Sequence, residues 1–174
     1  PLQRTLIEAD DCMYRQKLIH GTGTHNQIIE TILSTLGSRD YFSQGHAARL
    51  QRLCQKLGQT AGLSARQLKE LTVLSRVHDL GKASVPENIL HKPGPLTDME
   101  WEIVKQHSEK GYRIARISPE LFQVANFILY HHEHWDGQGY PLGLAEDNIP
   151  LECRIFAIAE AFEVMTSGRP YRPA

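Results

Sequence analysis

Apolar residues recur at spacings of three and four along most of this 174-residue chain, which is the period of a helix with one buried face. Capping-box patterns in SARQ (64–67) and TDME (97–100) predict two helix starts. The second start predicts a helix that runs on to Ile114, and Ser118 before a proline predicts another. We find no convincing alternating pattern of a β-strand. The sequence therefore predicts an all-α helical bundle with a long irregular loop at 133–150.

Charge and composition restrict the classes of partner. With 19 basic and 20 acidic residues, the chain has no positive field that would hold long nucleic acid. No stretch approaches the roughly 20 apolar residues of a membrane span. The cysteines are an odd number and lie far apart at Cys12, Cys54 and Cys153, so we expect a reducing cytoplasm and no disulfides. The start at Pro1 and the lack of a signal peptide suggest a piece of a longer polypeptide.

Nine histidines are the unusual feature of the composition. His78 lies four residues after Leu74, and His132 lies four after Ile128, so both continue apolar stripes. The spacing directs His107 and His131 toward the interior as well, and His46 begins another helix. One such histidine is more often a hydrogen-bonded core residue than a ligand. Five imidazoles with the carboxylate of Asp79 instead match the donors that bind iron, manganese or zinc, so we interpret them as a metal site.

Four motifs carry a resemblance to a known family. In chain order they are HDLGK (78–82), KPGPLTDMEWEIVKQH (92–107), HHEHWDGQGYPLGL (131–144) and RPYR (169–172). Together they resemble the HD-GYP family, bacterial phosphodiesterases of cyclic di-GMP within the larger HD superfamily. The resemblance implies an all-α HD-type bundle and a metal-dependent phosphohydrolase.

A second, shorter resemblance concerns the start of the chain. ADDCMYRQK (9–17) is similar to the end of a GGDEF domain. We therefore expect residues 1–18 to be the C-terminal helix of a truncated GGDEF-like domain and 19–25 to be a linker. Residues 26–174 would be the HD-GYP domain, ending short of the usual C-terminal helices of the family.

The HD-GYP resemblance implies a centre of two divalent metal ions, iron or manganese, with other divalent metals left open. The implied ligands of the first ion are His46, His78, Asp79 and Glu160. Asp79 would bridge to the second ion, which His107, His131 and His132 would complete. Two ions roughly 3.5 to 4 Å apart can activate water and clamp a phosphate oxygen, which would hydrolyse cyclic di-GMP to pGpG, GMP or both.

The resemblance also implies the residues that meet the substrate. Asp79 and Lys82 would be catalytic, and Lys82 would also approach phosphate. Tyr140 would contact the ligand, and Arg169 and Arg172 would grip its phosphates with their forked donors. A contact with a GGDEF-domain protein through the GYP loop is a further implied partnership. A bacterial cytoplasmic location follows, with a membrane anchor upstream in the full-length parent left open.

One residue departs from the family pattern. Glu160 stands where family members usually have aspartate, and its side chain is longer by one C–C bond, roughly 1.5 Å. We expect this change to alter metal affinity or choice. Glu160 therefore leaves a second interpretation open, a signalling module that binds metal and cyclic dinucleotide but turns over poorly. A third alternative is an HD phosphohydrolase of another nucleotide, against which the set of Tyr140, Arg169 and Arg172 argues.

Overall fold

The computed structural model describes residue 31 and residues 45–167. The α-helices between residues 45 and 167 are α1 (His46–Thr60), α2 (Ala65–Val77), α3 (Glu87–Leu90), α4 (Asp98–Lys105), α5 (His107–Arg116), α6 (Ala125–Tyr130) and α7 (Leu151–Thr166). Short 3-10 helices occupy Leu80–Ser84, Phe122–Val124 and Glu146–Asn148. The described residues contain no β-strand, only an isolated bridge between Asp136 and Ala145. The predicted all-α fold is confirmed.

Both predicted capping boxes form. The Ser64 hydroxyl accepts from the Gln67 amide at 3.4 Å, and Gln67 Oε1 accepts from the Ser64 amide at 3.1 Å. Thr97 and Glu100 make the same reciprocal pair ahead of α4, at 3.3 and 2.7 Å. These bonds satisfy amides that the first turn of each helix leaves without an intrahelical acceptor.

Two helix boundaries differ from the predictions. The helix predicted from residue 98 onward breaks at Gln106, which separates α4 from α5. In a continuous helix the Val104 carbonyl would accept from the Ser108 amide, but here it accepts from the ring Nδ1 of His107 at 2.7 Å. Likewise, the segment after Ser118 first forms turns, and the α-helix begins only at Ala125.

The helices pack into one bundle. Helix α1 contacts α2 and α7, α2 also contacts α7, and α5 lies against α6 and the 3-10 turn at Leu80–Ser84. The core between them consists mainly of aliphatic side chains with less than a tenth of their surface exposed, including Leu50, Leu71, Leu74, Val77, Leu80, Ile128, Ile155 and Phe156. The ring of Phe156 is fully buried and lies 4.9 Å from the His78 ring and 5.9 Å from the His131 ring, measured between centroids. The apolar core therefore extends up to the histidines.

Several predictions concern parts of the chain outside the described residues. These are the GGDEF-like helix at 1–18, the linker at 19–25, and the two arginines Arg169 and Arg172. Within the described part, no helix combines the length and the apolar character needed to cross a membrane.

Candidate metal centre

The His78–Asp79 pair lies where α2 ends and the 3-10 turn begins. The His78 amide donates to the Leu74 carbonyl at 2.9 Å, which ties it to the last turn of the helix. The two oxygens of Asp79 face different neighbours. Oδ2 lies 3.1 Å from His78 Nε2 and 2.8 Å from Lys82 Nζ, whereas Oδ1 lies 3.7 Å from His107 Nε2. Asp79 thus stands between two groups of side chains, as a bridging ligand must.

The charges around Asp79 keep it ionised. Burial alone would raise the pKa of this carboxyl, but His78 and Lys82 hold the pKa well below its usual value. For His78, burial acts to lower the pKa, but the Asp79 and Glu160 carboxylates outweigh burial, so the pKa of His78 is raised. An anionic oxygen pair is therefore available at the centre of the site near neutral pH.

His107, His131 and His132 form the three-histidine group, in which one ring nitrogen from each residue lies within 4.8 Å of the others. His107 Nδ1 bonds the Val104 carbonyl and His131 Nδ1 bonds the Ile128 carbonyl, each at 2.7 Å. Because a carbonyl only accepts, both Nδ1 atoms must donate, and the Nε2 atoms of the neutral rings carry lone pairs. Those two Nε2 atoms lie 3.3 Å apart.

The facing lone pairs fit a bound cation. At this separation they repel unless a proton or a metal ion is shared between them. Burial lowers the pKa of His107 and, together with the neighbouring His132, that of His131. Burial and the charge of His107 also lower the pKa of His132, to about 3, so protonation is disfavoured near neutral pH. Neutral imidazoles beside a carboxylate are good ligands for iron, manganese or zinc, and the residues therefore fit a metal centre.

His78 supports the same conclusion. Its side chain is buried, and neither ring nitrogen makes a hydrogen bond of good geometry among the described residues, although Nε2 forms an ion-pair contact with Asp79 Oδ2 at 3.1 Å. Buried polar atoms are normally hydrogen-bonded, and an ion is one explanation of an exception. Glu160 approaches from α7, with Oε1 3.8 Å from His78 Nε2. Despite its extra methylene, Glu160 is thus directed at the predicted first-ion site.

His46, the first residue of α1, lies close to the same side. Burial lowers its pKa, and the charges of His78 and Asp79 act on it in opposite directions. Its Nδ1 lies 2.5 Å from Glu163 Oε2. An Nδ1–H donated to this carboxylate makes Nε2 the lone-pair nitrogen of the neutral ring.

Glu163 is a site residue that the sequence reasoning missed. It is buried, and its Oε1 accepts from Arg49 Nε at 3.0 Å, Arg49 Nη2 at 2.8 Å and the Ser167 hydroxyl at 2.7 Å. The signal was a second carboxylate three residues after Glu160 in a largely apolar helix. Carboxylates that orient a ligating histidine are a regular part of metal sites.

The loop after His132 is held by another missed residue, Glu133. Its buried carboxylate accepts from the Leu142 amide at 2.7 Å and from the Leu144 amide at 2.8 Å. Gly139 lies so close to the start of the loop that a Cβ there would stand 2.5 Å from the Cα of Glu133. The loop predicted as irregular is thus folded back tightly on the residues that precede it.

This folding places Tyr140 over the three-histidine group. The Tyr140 amide donates to the His132 carbonyl at 3.1 Å, and the two rings stack with centroids 4.8 Å apart. Lys82 Nζ contacts Asp79 Oδ2, the oxygen that also lies near His78. The seven predicted ligands that the structure brings into one region are His46, His78, Asp79, His107, His131, His132 and Glu160. Their roles as ligands, and those of Lys82 and Tyr140, stay predictions.

Comparison with known proteins places this arrangement in a family. A family model described as HD domain matches residues 30–174. The chain is 38% identical over 148 residues to a cyclic di-GMP phosphodiesterase of Thermotoga maritima, covering 84% of this chain and 40% of that protein. It is 39% identical over 150 residues to the cyclic di-GMP phosphodiesterase response regulator RpfG of Xanthomonas campestris, covering 83% and 40%.

A third relative carries a different name. The 3'3'-cGAMP-specific phosphodiesterase 2 of Vibrio cholerae is 36% identical over 151 residues, covering 86% of this chain and 29% of that protein. The chain thus spans 40% or less of the length of these three relatives. The family match and the two relatives named for cyclic di-GMP agree with the motifs quoted above. The chain therefore belongs to the HD domain family, and its HD-GYP assignment is confirmed.

Proposed function

We propose that this chain carries a metal-dependent phosphodiesterase site that hydrolyses cyclic di-GMP to pGpG, GMP or both. The observation that carries the proposal is the pair of buried imidazole nitrogens facing each other at 3.3 Å beside the Asp79 carboxylate. Two relatives named as cyclic di-GMP phosphodiesterases support the choice of substrate. Because those relatives are much longer, the activity of the whole protein is part of the proposal.

We propose two divalent ions, iron or manganese. His46, His78 and Glu160 would hold one ion, the three-histidine group would hold the other, and Asp79 would bridge them. Bound there, the ions would supply Lewis acidity toward a phosphate oxygen and toward water. The two-sided position of Asp79, with one oxygen near His78 and the other near His107, supports two sites over one.

The protein side chains would position the phosphate and balance its charge. Lys82 Nζ donates to Asp79 Oδ2 at 2.8 Å, and its positive charge at that position is proposed to attract a phosphate oxygen. In-line attack of water on phosphorus would break the bond to the ribose 3' oxygen, which takes a proton, and open the ring to pGpG. A second hydrolysis would give GMP. Tyr140, Arg169 and Arg172 are proposed to contact the ligand.

The test is hydrolysis by the purified protein supplied with Mn(II) or Fe(II) under anaerobic conditions, with pGpG and GMP followed by chromatography. His131→Ala should lose bound metal and lower the rate at least about 100-fold, since it removes a ligand. His134→Ala is the matched control, because this histidine is exposed and lies three positions away. Tight binding of cyclic di-GMP without product would instead support the signalling module.

Substrate choice has a second candidate, 3'3'-cGAMP, for which one relative is named. The same assay with both cyclic dinucleotides at equal concentration compares their kcat/KM values. A larger value for cyclic di-GMP supports the first proposal, and a larger value for 3'3'-cGAMP replaces it. The GGDEF-domain partner and the cytoplasmic location stay proposals of the HD-GYP resemblance.

A further inference from the structure

A row of aromatic rings leads from the three-histidine group to the surface. The Tyr140 ring stacks on His132 with an interplanar angle of 27° and a centroid distance of 4.8 Å. The Trp101 ring lies 6.2 Å from the Tyr140 ring between centroids and is nearly perpendicular to it, at 83°. Trp101 is 45% exposed. An indole with this much solvent contact beside a buried polar centre has aromatic surface left for a ligand.

Helix α4 positions Trp101 beside Tyr140. Trp101 and Lys105 are four residues apart, which places them on one face of the helix. Lys105 Nζ lies 6.0 Å from the Tyr140 ring centroid, so this face is the one turned toward Tyr140. The same helix provides the Val104 carbonyl that orients His107. One short helix therefore positions the indole and orients one ring of the three-histidine group, that of His107.

The charge near Trp101 is modest. Lys105 Nζ is paired with Glu102 at 2.6 Å, which offsets its positive charge. Binding at this face would depend more on ring stacking than on attraction of phosphate. The proposed substrate combines phosphates, which the metal centre would take, with purine bases, which need a flat apolar contact.

We infer that the exposed indole of Trp101 is a stacking platform for a purine base of the cyclic dinucleotide, with the Tyr140 ring standing nearly perpendicular beside it. The inference rests on the proposed function, because the phosphate must sit at the metal centre for the base to reach the platform. Every purine offers a π-face, so the platform holds guanine and adenine alike. It strengthens binding of cyclic di-GMP and 3'3'-cGAMP without choosing between them.

The kinetic test compares Trp101→Ala, Trp101→Phe and the control Trp135→Phe in the metal-loaded protein. Trp101→Ala should raise KM on the order of 10-fold or more for both dinucleotides, with kcat and bound metal nearly unchanged. Trp101→Phe should recover most of the loss because phenylalanine keeps a ring. Trp135 is 57% exposed and lies against the Arg154 guanidinium, so its replacement should leave KM unchanged.

A binding test makes the outcome independent of catalysis. The chain has two tryptophans, so Trp135→Phe leaves Trp101 as the sole indole. Titration of this metal-loaded protein with a hydrolysis-resistant phosphorothioate analogue of cyclic di-GMP should change the indole emission to saturation. The Trp101→Phe protein, which keeps Trp135, should bind the analogue nearly as tightly by calorimetry but without an emission change.

Two results would overturn the platform while leaving the proposed function intact. One is an unchanged KM in an active Trp101→Ala protein. The other is an emission change on titration of Trp101→Phe, whose sole indole is Trp135, with no change in Trp135→Phe. That result would place the base away from Trp101. If no protein hydrolyses either dinucleotide, the proposed function fails, and saturable quenching of Trp101 still decides whether the platform binds a purine ligand.

Discussion

At the scale of single residues, the contacts of Glu163 explain how one proposed metal ligand, His46, is held in place. Glu163 sits in α7 and accepts hydrogen bonds from three side chains, those of His46, Arg49 and Ser167. Burial alone would raise its pKa, but the hydrogen bonds from Ser167, Arg49 and His46 outweigh burial and lower it. An anionic acceptor at His46 Nδ1 fixes the tautomer and the ring plane of the proposed metal ligand.

Replacement of Glu163 by glutamine keeps the size of the side chain and removes its charge. We expect Glu163→Gln to weaken binding of one of the proposed ions by about 10- to 100-fold, since orienting partners of ligands have effects of this size. The measurement is metal content per chain after equilibration with graded concentrations of chelator. Melting of the metal-free protein is recorded separately.

Glu152→Gln is the matched control for this prediction. Glu152 is also a buried carboxylate of α7, but it accepts from Gln67 Nε2 at 2.9 Å, among residues that the proposed centre does not use. It should change melting without changing metal content. Equal metal retention in both variants would contradict the role given to Glu163.

At the scale of elements, the proposed ligands stand mostly at helix ends. His46 begins α1, His78 follows α2, His107 begins α5 and His131 follows α6. Several helix ends can meet at one point, whereas helix faces meet along lines. The spacing of the apolar residues predicted that His78, His107 and His131 turn inward and that His46 begins a helix. It did not predict the helix break at Gln106, which places His107 at the start of α5.

The contact between α5 and the 3-10 turn sets the distance across the site. A Cβ at Gly81 would stand 2.6 Å from the Gly111 amide nitrogen and would clash with the His107 carbonyl. Asp79 and His107 come within reach of one another only because these backbones touch. Gly81 is therefore a packing residue.

We expect Gly81→Ala to push α5 away from the turn, to cost about 1–3 kcal/mol of folding free energy through overpacking, and to weaken metal binding. Urea unfolding and metal titration measure the two effects. Gly62→Ala serves as the glycine control. Its φ of +76° is strained for alanine, but a Cβ added there would meet no neighbouring atom within 4 Å, so there is no overpacking. Full metal affinity in Gly81→Ala would mean that the close approach is dispensable.

The loop that carries Tyr140 depends on Glu133. Glutamine there would turn an amide N–H₂ toward one of the two backbone donors, Leu142 or Leu144, which leaves that donor buried without an acceptor. We expect Glu133→Gln to lower the free energy of unfolding by about 1–3 kcal/mol and to raise KM through misplacement of Tyr140.

Asp147→Asn is the control, because it breaks an ion pair between Arg154 and a side chain that is 88% exposed. Its free energy of unfolding should stay within about 0.5 kcal/mol of the unmodified protein.

At the scale of the whole molecule, the sequence singles out candidate donors, but it does not show the contacts that orient them. The HDLGK and HHEHWDGQGYP motifs are local, so residue type and helical spacing were enough to single out His78, Asp79, His131 and His132. The bond between His46 and Glu163 joins positions 117 residues apart, and only the packing of α1 on α7 brings them together. Periodicity predicts which face is buried, but the partner across the core depends on the fold.

This long-range assembly couples metal binding to folding. Donors from α1, α2, α5, α6 and α7 lie together only in the native state, so an ion that binds them stabilises that state by mass action. We expect Mn(II) at 100 times its Kd to add about 2.7 kcal/mol to the free energy of unfolding. Chelator should reverse the gain. At the same Mn(II) concentration, the gain should fall in His131→Ala because loss of one ligand raises the Kd, whereas His134→Ala should keep it. Urea unfolding with and without metal measures the difference, and an equal gain in both variants would mean that the ion binds outside the three-histidine group.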